Sequence, residues 1–267
     1  MADAGTRLSG ILLCGDSDDL AQNAAALFEE SAGRCAALSQ PFCVMLAGGG
    51  TPRRTYESLA GLPYRDAVPW DCVHVFWGDE RAVPSDHRES NYRMAWKTLL
   101  SKVALPTRNV HRVRMEAGDA KTVAAQYDRH LLEFFHLKPG QWPVFDLVLL
   151  GLGVDGHTAS LFPESEALEE KERFFVDCFV EKLRAYRFTM TLPVLNHAKG
   201  VVFLVSGAEK ADILKKVLEG RDADAHYPAA RVKPASGNLL WLVDEAAASK
   251  LGPSLITSVQ RSSKHTQ

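Results

Sequence analysis

The residues best equipped for chemistry sit in GLGVDGHTASLFP, residues 151–163, where Asp155 and His157 ride on a turn with glycines at 151, 153 and 156. An imidazole titrates near neutrality, so His157 is a candidate proton-transfer group. Asp155 is a candidate to orient it or to bind substrate hydroxyls. The same glycines spell G-x-G-x-x-G after the apolar run Leu147–Leu150, the spacing of a dinucleotide-binding turn. Such a turn runs into a long helix and meets an acid about 20 residues on. Here HTASLF reaches Pro163 after six residues, so any helix is short. The turn is expected to present an acid and a base to a small substrate, with no nicotinamide cofactor.

Other polar groups stand where apolar runs stop. FCVMLA ends in Gly48, Gly49, Gly50, Thr51 and Pro52. Three glycines permit close approach of a ligand, Thr51 is expected to cap the following helix, and Pro52 suits a first helical position. The stretch reads as an anion site, although a plain strand-to-helix turn has the same ingredients; it lacks the lysine of a P-loop. CVHVFW ends in Gly78, Asp79, Glu80 and Arg81, either a surface ion cluster or a ligand site. Arg187 opens RFTMTLPVLN, and Lys210 follows VVFLVSG at a helix start. Either cation could serve an anion or be a solvated charge.

These groups need a scaffold that gathers strand ends. ILLCG, FCVMLAG, CVHVFWG, VHRV, the run before Gly151, FFVDCFV, VVFLVSG and LLWLVD alternate with helical stretches such as Asp18 to Leu38 and Lys121 to Phe135. That alternation predicts an α/β fold with a mostly parallel, doubly wound sheet, in which ligands bind beyond strand carboxyl ends. Polar loops near Gly118 and over 221–234 are the weak candidates for a boundary. Composition shifts at neither, so one domain over 1–267 is expected.

The chain has 267 residues and a formal net charge of −2, which argues against nucleic acid or an anionic membrane held by bulk electrostatics; an anionic ligand needs local groups. Five cysteines without a C-x-x-C pair signal neither a disulfide framework nor zinc, and the histidines show no metal-ligand spacing. No apolar run approaches the roughly 18 residues of a membrane span, and no leader pattern stands at the N-terminus. A cytoplasmic protein is the default expectation.

GGGTP at 48–52, WGDERAVPSDHRESN at 77–91, GLGVDGHTASLFP at 151–163, RFTMTLPVLN at 187–196 and SGAEK at 206–210, in this order, resemble the 6-phosphogluconolactonase family. The resemblance implies a modified Rossmann-like sheet shared with glucosamine-6-phosphate deaminase and working without a cofactor. It implies hydrolysis of a small sugar-phosphate lactone by a metal-free monomer. On that resemblance, Gly49, Gly50, Thr51, Arg187 and Lys210 hold the sugar phosphate, Asp155 and His157 form the catalytic element, and Arg81 fits the lactonase version of its motif. Asp79 matches the proton-transferring aspartate of the deaminase. The deaminase also carries a glutamate five residues after the histidine; Phe162 stands there, a departure that disfavours deamination. A deaminase or isomerase, or a noncatalytic sugar-phosphate sensor, remain the alternatives.

Overall fold

The computed structural model describes residues 10–235, 238–252, 255 and 260–261. In chain order the elements are β1 (Gly10–Cys14), α1 (Ser17–Ala37), β2 (Phe42–Leu46), α2 (Gly50–Leu59), α3 (Tyr64–Ala67), β3 (Val73–Trp77), β4 (Asp79–Arg81) and α4 (Asn91–Ala95). There follow α5 (Ala120–Phe134), β5 (Leu147–Gly151), β6 (Phe175–Val180), β7 (Ala185–Met190), α6 (Leu192–His197), β8 (Val201–Val205), α7 (Ala211–Glu219), α8 (Ala223–His226), β9 (Leu239–Asp244), α9 (Glu245–Ala248) and β10 (Gln260–Arg261).

Seven strands form one sheet in the order β10-β1-β9-β8-β5-β2-β3, and every pairing in it is parallel. The central strands FCVML and VVFLV are buried at every residue, as strands covered by helices on both faces must be. Packing across the sheet is aromatic: Phe203 stacks on Trp241 with centroids 3.9 Å apart, and Phe76 meets Phe145 edge-on at 5.2 Å. From β2 the chain steps outward to β3, whereas from β5 it steps the other way to β8 and β9. The direction of winding therefore reverses between β2 and β5, the place where open α/β sheets bind ligands.

Three expectations need correction. FFVDCFV is not a strand of the parallel sheet: as β6 it joins β4 and β7 in a separate antiparallel sheet, order β4-β7-β6. VHRV forms no strand; Val110 makes a single bridge to Val75, after which the chain leaves the sheet edge and Arg112 turns to Glu116. The helix expected at Pro52 starts two residues earlier, with Gly49 as its cap at φ +102°, a conformation open to glycine and strained for other residues. Thr51 therefore makes no capping bond and keeps its hydroxyl for other use.

The small sheet is fastened by Glu80. Its buried carboxylate accepts from the backbone N–H groups of Arg81 at 2.8 Å, Asn91 at 2.7 Å and Tyr92 at 2.8 Å, and from Ser90 Oγ at 3.1 Å. Burial pushes its pKa up, while the backbone donors pull it back. It thus ties β4 to the start of α4. Glu80→Ala orphans these donors and is expected to lower the unfolding free energy by about 3 kcal/mol in urea titration, with Glu80→Gln losing less; a loss under about 1 kcal/mol contradicts this role.

Candidate active site

A cleft of about 460 Å³ opens at the winding reversal, walled by the ends of β2, β5 and β8 and by the small antiparallel sheet. It brings together Gly49, Gly50, Thr51, Asp79, Arg81, His157, Arg187 and Lys210, groups drawn from along residues 49–210. Asp155 does not line the cleft; it stands behind His157.

The turn after β5 fixes the imidazole. Gly153 N–H donates to the His157 carbonyl at 2.8 Å, and Gly156 N–H to the Gly153 carbonyl at 2.9 Å, closing a tight loop in which no helix follows. A Cβ on Gly153 would lie 2.0 Å from His157 Nδ1, so this glycine is required by the ring that crosses over it. Asp155 Oδ1 hydrogen bonds His157 Nδ1. A carboxylate accepts, so Nδ1 carries the proton and Nε2 is left as the bare, basic nitrogen. Lys182, from the turn between β6 and β7, pairs with the other oxygen of Asp155 and sits 4.9 Å from the centre of the Phe162 ring. Phe162 packs its ring 4.3 Å from that of His157.

These surroundings set the charge of His157. Burial lowers its pKa to about 4; Asp79 pulls upward, and Lys210, Arg81 and Arg187 push down. At neutral pH the imidazole is uncharged and can accept a proton.

The opposite wall is cationic. Arg81 on β4 and Arg187 on β7 are direct cross-strand partners. Like charges so placed repel, and a dianion between them relieves the repulsion. Burial and then the neighbouring Arg81 lower the pKa of Arg187, the mark of guanidinium charges crowded together out of water. Arg81 also donates to the Glu89 carbonyl at 2.6 Å, which steadies it. Lys210, at the N-cap of α7, makes no salt bridge among the described residues. The first N–H groups of α2, at Gly50 and Thr51, add backbone donors to this cationic rim.

On the cleft floor, Asp79 is buried and held by both oxygens: Asn91 Nδ2 donates to Oδ1 at 3.1 Å and Ser160 Oγ to Oδ2 at 2.8 Å. Ser160 and Lys182 escaped the sequence reading. Ser160 follows the Asp-Gly-His element in a polar loop and had a positional signal; Lys182 had none, because a lone lysine in EKLRAY looks like any solvated charge.

The sequence profile of the glucosamine-6-phosphate isomerases/6-phosphogluconolactonase family matches residues 15–241, and the chain belongs to this family. It is 43% identical over 210 residues to a protein of Synechocystis sp. named 6-phosphogluconolactonase, covering 79% of this chain and 85% of that one. It is similar in structure to a 6-phosphogluconolactonase from Trypanosoma brucei, with a TM-score of 0.81, 29% identity and coverage of 91% and 99% of the two chains. A monomeric glucosamine-6-phosphate deaminase shares the fold at a TM-score of 0.76 and 21% identity, covering 90% and 99%.

The close approach at Gly153 yields a test. Gly153→Ala is expected to fold but to dislodge the imidazole, lowering turnover about 100-fold, the scale of an ångström-size misplacement. Wild-type turnover in a correctly folded variant contradicts the positioning.

Proposed function

We propose that the protein hydrolyses 6-phospho-D-glucono-1,5-lactone to 6-phospho-D-gluconate, with His157 as general base. The observation that carries this reading is the His157 imidazole, its Nδ1 held by Asp155, at a cleft whose far wall is cationic; burial favours the neutral ring and leaves Nε2 basic. Family membership supports the lactonase chemistry.

The phosphate is held by Arg187, Lys210, the N–H groups at Gly49 and Gly50 and the Thr51 hydroxyl, with Arg81 beside them. The lactone carbonyl then lies toward His157. Nε2 takes a proton from a water as the oxygen attacks C1, and the carbonyl electrons move onto its oxygen. Collapse of the tetrahedral intermediate breaks the bond from C1 to the ring oxygen, and the same imidazole returns the proton to that leaving oxygen. Asp155 holds the tautomer and stabilises the transient imidazolium, and Lys182 orients Asp155 from behind. Asp79, fixed by Asn91 and Ser160, is placed to accept from sugar hydroxyls.

A lactone presents an activated ester, so the chemistry needs neither a Lewis acid nor a covalent intermediate; a metal-independent reaction is proposed on that ground. Action as a monomeric, single-domain enzyme on a small molecule belongs to the same proposal. Among the described residues no helix is long and apolar enough to cross a membrane, which fits the proposed work in the cytoplasm.

The packing of Phe162 on His157 favours lactone hydrolysis over deamination, since an apolar ring supplies no carboxylate for a ring-opening relay. The purified protein is expected to release acid from the lactone and no ammonia from glucosamine 6-phosphate; comparable ammonia release with the lactone untouched contradicts the assignment. His157→Gln is expected to lower turnover by two to four orders of magnitude, roughly, with binding of 6-phosphogluconate kept. Arg187→Ala is expected to act mainly on KM, costing about 1.5 to 3 kcal/mol, because a phosphate remote from the reacting ester is held alike in ground and transition states. A fall in kcat alone would place Arg187 at the reacting carbonyl instead.

A further inference from the structure

A second concavity, of about 650 Å³, lies between α4, α5 and the segment 107–116, and it shares no lining residue with the catalytic cleft. That size is in the usual range for a small-molecule site. Four guanidiniums line it, from Arg108, Arg112, Arg114 and, on α5, Arg129. Arg112 is engaged with Glu116 and lies over the Tyr92 ring, 5.4 Å from its centre. Arg108, Arg114 and Arg129 make no salt bridge among the described residues, and Glu133 is the remaining carboxylate in the lining. The chain as a whole carries −2, so this positive charge is a local concentration.

Two further features point to a ligand with an aromatic part. Trp96 stands 40% exposed on the wall, with the Tyr92 ring 6.1 Å away. It also opens a π-helical turn, Trp96–Leu100, directly after α4; such turns are rare and concentrate at functional sites. The floor is neutral. His111 and His130 share a hydrogen bond of 2.9 Å, and His111 continues to His74 at 3.1 Å. Burial first, then its histidine neighbours, push His111 down to about 3, and burial with Arg114 lowers His130. Both nitrogens of His111 are used within this chain of rings, so it is His130, through Nδ1, that can meet a ligand without adding charge.

We propose that this cleft is a binding site for a nucleoside di- or triphosphate, with the base stacked on Trp96 and the phosphates held by Arg108, Arg114 and Arg129. Guanidinium forks suit phosphate oxygens, and an exposed indole suits any nucleobase face.

The test is calorimetric titration of the full chain with ATP and ADP in about 0.15 M KCl, where diffuse electrostatics are screened. Saturable binding is expected with Kd below about 1 mM, undisturbed by saturating 6-phosphogluconate. The double variant R114Q/R129Q is expected to bind at least about tenfold more weakly, and W96L about fivefold more weakly. Inorganic tripolyphosphate is expected to trail ATP by about tenfold, since it lacks a base to stack. These side chains are exposed, so unchanged melting temperatures show that the variants fold. Absence of binding up to about 10 mM, competition by 6-phosphogluconate, or full affinity in both variants overturns the site. Tripolyphosphate binding as tightly as ATP overturns the nucleotide reading, leaving a polyanion patch.

Discussion

A histidine serves as a base at neutral pH only when one nitrogen is already committed and the charged form is disfavoured. The bond between Asp155 and His157 Nδ1 meets the first condition, and burial of the ring meets the second. The bond exists because the turn after β5 is tight enough to bring residues 155 and 157 side by side, and the turn is tight because Gly153 leaves room for the ring. The rest of the site is arranged about that ring. Phe162 and burial keep it dry, Arg81, Arg187 and Lys210 discourage a second proton, and Asp79 opposes them. Removing water and adding cations push in the same direction, so the neutral form prevails over the attraction of Asp79.

The cationic wall depends on a different construction. A parallel sheet alone delivers groups from strand ends on one edge of the layer. The small antiparallel sheet adds a second wall, and its register places Arg187 opposite Arg81 and Thr189 opposite Asp79. Its cost is repulsion between two half-buried guanidiniums, which the substrate phosphate of the proposed reaction would relieve. Glu80 anchors β4 to α4 and so holds this wall against the main sheet.

Much of this was legible in the sequence. Apolar runs ending in GGGTP and GLGVDGH announced strand ends bearing glycine and polar groups, and residues of both, His157 among them, do meet across the cleft. The antiparallel sheet was not legible. FFVDCFV read as one more strand of the parallel sheet and RFTM as no strand, and the turn that pairs them carries Arg184 in the left-handed region at φ +46°, with no glycine, asparagine or proline to signal it. Lys182 lies on that turn, so its approach to Asp155 was hidden with it. VHRV misled in the other direction: β-branched residues suggested a strand, but a single bridge was all the sheet edge offered.

The central claim concerns one proton, and long-range ¹H–¹⁵N correlation NMR of the His157 ring observes it directly. The signal is assigned by its loss in His157→Gln and followed through pH. The account predicts a neutral ring at pH 7 with the proton on Nδ1 and Nε2 bare, titrating near the value of about 4 set chiefly by burial. A proton on Nε2, or a midpoint at the ordinary 6.5, would contradict it.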